Sequence, residues 1–106
     1  PTVNVVSDGG VDAWVDDISI DVKFNNAEFG KLIFDNMDKF KAQVAVLVGK
    51  TADPAVMRVN GWVGRKTFME KSVSHNFGYG DRLVMNDSDL YSIETLWRKL
   101  AEKRFS

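Results

Sequence analysis

The chain has 106 residues, enough for one domain, residues 1–106, with a real core and no metal or disulfide staple. Its 44% hydrophobic and 27% charged residues exclude wholesale disorder, and the absence of cysteine excludes disulfides, zinc-thiolate sites and cysteine nucleophiles. A net charge of −1 hides an asymmetry, since residues 1–38 carry a balance of −6 and residues 39–106 one of +5.

Thr2 to Val6 reads as a short β-branched strand, with a turn at Asp8-Gly9-Gly10 and a second β segment from Val11 through Trp14. From Asp17 the alternation is strict. Ile18, Ile20, Val22 and Phe24 share one face, with Asp17, Ser19, Asp21 and Lys23 on the other. Period two with one apolar face predicts a half-buried antiparallel strand whose acids are solvated. Asn26 then caps a helix predicted over Ala27 to Phe40, with Phe29, Leu32, Ile33, Met37 and Phe40 at helical spacing. Gly30 weakens that helix, and a strand through Leu32, Ile33 and Phe34 competes with it.

Ala42 to Val48 is apolar on both alternating faces and ends at Gly49, the pattern of a strand buried on both sides. After a turn at Asp53-Pro54, the run from Val56 to Val63 reads as a hairpin about Asn60-Gly61, the dipeptide that two-residue turns prefer. Thr67 to Asn76 fits a strand or an irregular connection. Gly78 to Asp81 is a loop, and Arg82 to Met85 a short strand. Asn86-Asp87-Ser88-Asp89 then supplies capping groups for a C-terminal helix. Its apolar stripe is Leu90, Ile93, Leu96 or Trp97, Leu100 and Phe105, and Arg98, Lys99, Lys103 and Arg104 gather at the end that favours cations.

The expected architecture is therefore α+β. An antiparallel sheet of about five strands carries the C-terminal amphipathic helix and one further helix on a face. A partly closed small barrel with a helix is the variant.

The segment from 58 to 82 mixes bases and aromatics as single-strand nucleic-acid sites do, through Arg58, Trp62, Arg65, Lys66, Lys71, His75, Tyr79 and Arg82. Aromatic residues are also ordinary strand residues, and a net charge of −1 is unlike a nonspecific nucleic-acid binder. Gly78-x-Gly80 lacks the third glycine of a phosphate-binding loop and reads as a turn. The acids at 12, 16, 17 and 21 fit no calcium loop, and serve better as charges that guard a strand edge. His75, the one histidine, stands beside Ser72 and Ser74, but a nucleophilic site needs a spatial constellation and not mere proximity. Tyr91, Trp97 and Phe105 offer a spare apolar edge along the last helix to a protein partner.

No catalytic set converges, and no cofactor or metal motif occurs. No apolar run approaches the roughly 18 residues of a membrane span, and no basic-then-apolar leader is present, so a cytoplasmic protein is expected. The expectation for function is a non-enzymatic interaction protein that binds a protein partner or itself. It would be a small accessory, inhibitory or structural subunit such as bacteriophages encode. A nucleic-acid module using residues 58–82 is the alternative.

Overall fold

The computed structural model describes residues 3–8, 11–15, 17–25, 30–53, 55–76, 78 and 80–102. Strands β1 (Val3–Asp8), β2 (Val11–Val15), β3 (Ile18–Asn25), β5 (Val44–Lys50) and β6 (Met57–Gly64) form one sheet in the order β1-β2-β3-β5-β6. Strands β4 (Lys31–Phe34), β7 (Val73–Asn76) and β8 (Asp81–Asn86) form a second sheet in the order β4-β8-β7. All pairs are antiparallel except β3 with β5, whose connection passes through β4 in the other sheet. Helix α1 spans Arg65–Lys71, and helix α2 spans Ile93–Glu102. The fold is α+β and mostly antiparallel, with a C-terminal helix and one further helix.

Strand β5 organises the layers because both of its faces are apolar. Ala45 and Leu47 meet Leu32, Phe34, Phe40, Val63, Phe68 and Met85 between the two sheets. Three of those rings form a compact group, with centroids of Phe34 and Phe40 4.5 Å apart and Phe68 set against both. On the opposite face, Val44 and Val46 join Val15, Ile20 and Trp62 beneath Leu96 and Leu100 of α2. The sequence of layers is thus helix, five-stranded sheet, three-stranded sheet.

Four local expectations are corrected. The helix predicted over 27–40 gives way to β4 and a 3-10 turn at Met37–Lys39, while Asn26 to Phe29 lie outside the described residues. Leu32 and Phe34 are both buried and flank a partly exposed Ile33, so period two wins over the helical spacing. The extra helix forms instead at Arg65–Lys71, a run rich in good helix formers that buries Phe68.

Asn60-Gly61 is not a hairpin turn. Strand β6 runs straight through it, and the register against β5 slips between Leu47↔Gly61 and Val48↔Val59. The glycine is required by proximity: a Cβ on Gly61 would stand 2.7 Å from Leu90 Cβ and from the Tyr91 carbonyl oxygen. Helix α2 starts at Ile93, later than the capping group suggests. Asn86 ends β8, Asp87 to Asp89 form a 3-10 turn, and the Asp87 carboxylate accepts a hydrogen bond from the Gly30 amide at 3.2 Å.

Strand β3 departs furthest from its expected role. Ser19 and Asp21, read as solvated, are buried, whereas Phe24, read as core, is 70% exposed. The second sheet covers what alternation marked as the polar face, and α2 leaves uncovered the far end of the apolar one.

Candidate functional site

Registers across the five-stranded sheet place Phe24, Val48 and Val59 in one row, since Phe24 pairs with Val48 and Val48 with Val59. They share the face of Val22, Val46 and Trp62, the face that carries α2. Leu96 and Leu100 of α2 are buried over Val44, Val46 and Trp62, and Val48 packs against the same cluster. Phe24 and Val59 are exposed and Val48 is half-buried. Trp97, 51% exposed, stands on α2 on the same side of the sheet. Tyr91 begins this apolar side at the sheet's edge. Its backbone exchanges hydrogen bonds with Trp62, both at 2.9 Å, and its ring centroid lies 5.3 Å from the indole.

Trp62 itself is corrected from a stacking residue to a core residue. It is 3% exposed, and its Nε1–H donates to the Ser92 carbonyl at 3.0 Å and to Thr95 Oγ1 at 2.9 Å, which pins the start of α2 to β6. No base can stack on it. Tyr79, the other proposed platform, and Phe105 lie outside the described residues.

The proposed cations separate. Arg58 is exposed on β6 and donates from Nε to Asn60 Oδ1 at 3.3 Å. Arg65 donates from Nε to the Phe40 carbonyl at 2.8 Å and closes the end of the 3-10 turn, a structural task. Lys66 is exposed on α1 and does not line the cavity described below.

Lys71 and His75 do come together, Lys31 joins them, and Arg82 pairs with His75 across the strands. In the three-stranded sheet Leu32, Phe34 and Met85 point inward, so Lys31, Ile33, Arg82, Val84, Asn86, Val73 and His75 share the outer face. At one end of that face a half-open cavity of about 190 Å³ is lined by Lys31, Lys71, Val73, His75, Val84, Met85, Asn86 and Asp89. Farther along, Arg82 Nε stands 3.2 Å from Asp35 Oδ1. Lys31 carried no local signal in the sequence. Only the pairing of β4 with β8 and β8 with β7 brings it to Lys71 and His75.

The acidic group also resolves into a particular arrangement. Asp21 is 3% exposed. Burial, helped by a hydrogen bond with the Asp12 carboxyl and opposed by nearby Lys23, raises its pKa from 3.8 to about 6. Asp12 Oδ2 also accepts the Val22 amide at 2.8 Å, and Lys23 Nζ lies 3.4 Å from Asp21 Oδ2 and 5.1 Å from the Phe34 ring centroid. Asp12 and Asp21 thus tie β2 to β3 and are not solvated edge charges, whereas Asp17 is exposed and Asp16 lies outside the described residues. Among the described residues, no three carboxylates or histidines converge as a metal site would require. Nor does any described helix have the length and apolarity to cross a membrane.

Comparison with protein-family models, curated proteins and solved structures finds no match.

Proposed function

We propose that the protein is a non-enzymatic interaction domain that binds a protein partner or a second copy of itself through the helix-bearing face of its five-stranded sheet. The observation that carries this reading is the row Phe24–Val48–Val59, a strip set by the strand pairing in which Val59 is exposed and Phe24 is 70% exposed. Scattered exposed apolar residues are ordinary, but a strip continuous with a buried core is the kind of surface a partner covers. Trp97 and Tyr91 extend the same side with aromatic area, the residue class enriched at the centres of interfaces.

The nucleic-acid reading is second. The buried Trp62 removes its stacking platform, and what favours it is the common outer face of Lys31, His75 and Arg82, with Lys71 lining the cavity at its end. The paired substitution Phe24→Asp with Val59→Asp tests the leading reading. Sedimentation velocity and co-purification should show loss of the native association, with the unfolding free energy changed by no more than about 0.5 kcal/mol. Association that survives both charges contradicts it.

A further inference from the structure

We propose that the cavity at the Lys71 end of the three-stranded sheet binds a phosphate group. Its lining includes Lys31 of β4, Lys71 in the last turn of α1 and His75 of β7, three residues with nitrogen-bearing side chains from three different elements. Asn86 of β8 also lines it and carries an amide that can donate a hydrogen bond. Donors drawn from separate elements suit a tetrahedral oxyanion. A planar carboxylate is matched best by the fork of an arginine, and among the described residues the lining contains none.

Val84 is buried beneath the cavity although it belongs to the outer face, whereas Val73 at its rim is exposed. A cavity of about 190 Å³ has room for a phosphate with several waters. Among the described residues, the lining holds two lysines and one acid, Asp89. With one carboxylate and one imidazole, the same lining is poor for a cation.

The site lies on the side of the molecule opposite the Phe24 row, with both sheets between them, so the inference stands independently of the proposed protein interface. The shared chemistry is the phosphate, whether it is free, a terminal monoester or part of a nucleic-acid backbone.

The test is an amide NMR titration of the full chain with inorganic phosphate, against sodium chloride at matched ionic strength. Saturable shifts are expected at Val73, His75 and Asn86. The double variant Lys31→Ala/Lys71→Ala should bind at least about tenfold more weakly, because each lysine contributes a charge-assisted contact. Both lysines are exposed, so the variant should keep the wild-type spectrum elsewhere, and Lys66→Ala should titrate like wild type. Single-stranded oligonucleotides with and without a 5′-phosphate then separate the sources. Competition by both points to backbone phosphate, competition by the phosphorylated strand alone to a terminal phosphate, and competition by neither to a small phosphate. Absence of saturable shifts with inorganic phosphate overturns the proposal, as does equal affinity in the double variant.

Discussion

The two faces of the five-stranded sheet are finished differently. Between the sheets, Leu32, Phe34, Phe40, Leu47, Val63, Phe68 and Met85 are all buried, and the three rings lock against one another. Under α2, a ten-residue helix covers Val44, Val46 and Trp62 but leaves Phe24 and Val59 to solvent at the far end of the same strands. The first face is a core that the chain completes alone. On the second, the described residues leave Phe24 and Val59 exposed, and the proposal of a partner rests on that exposure.

The largest effect is expected on the enclosed face. Phe68→Ala removes a ring with no solvent exposure and should cost about 3–5 kcal/mol, read from the denaturant midpoint. A loss below about 1 kcal/mol would mean that the inter-sheet core is not the better packed of the two.

Asp21, on the same enclosed side, acts in the opposite direction. With its pKa raised from 3.8 unfolded to about 6 folded, the native state holds a proton that the unfolded chain has lost between those values. Stability should therefore fall as pH rises from about 4 to about 6, and stay lowered above that range. Asp21→Asn should flatten this slope and raise stability at pH 7 by about 1–3 kcal/mol. A pH profile of the unfolding midpoint that is the same in both proteins would show that burial does not perturb the carboxyl.

A smaller loss is expected where the helix covers the sheet. Trp62→Phe keeps most of the apolar area but deletes the N–H that serves Ser92 and Thr95, at about 1–2 kcal/mol. Hydrogen exchange should quicken in α2 before it does in β5. Simultaneous quickening in both elements would mean that the indole does not specifically anchor the helix.

How far these features could be read from residues alone depends on whether their causes are local. Strand β5 was readable because Val44, Ala45, Val46 and Leu47 are apolar whichever way they face, and α2 because Ile93, Leu96 and Leu100 repeat at helical spacing. Strand β4 was ambiguous, since Leu32, Ile33 and Phe34 satisfy either period and only pairing with β8 decides. Asn60-Gly61 misled because its strongest constraint, the approach of Leu90 and Tyr91, lies far along the chain.

Burial of Asp21 was hidden for a similar reason, as alternation marks the polar face of a strand but not the second sheet that lands on it. For the candidate sites, Lys71, His75 and Arg82 stood out by composition, and Trp97 and Tyr91 by their place on an amphipathic segment. Lys31 and Phe24 needed the registers, because a lysine beside a weak helix and a phenylalanine at the end of a regular alternation are individually unremarkable.

The most direct measurement of the unfinished face is photo-crosslinking with a benzophenone amino acid placed at position 24, compared with the exposed position 70 on α1, in cells that make the protein. The expected result is one discrete product from position 24, either a dimer of this chain or an adduct of a single mass, that is absent from position 70. No discrete product from position 24, or the same products from both positions, would contradict the assignment of this face as an interaction surface.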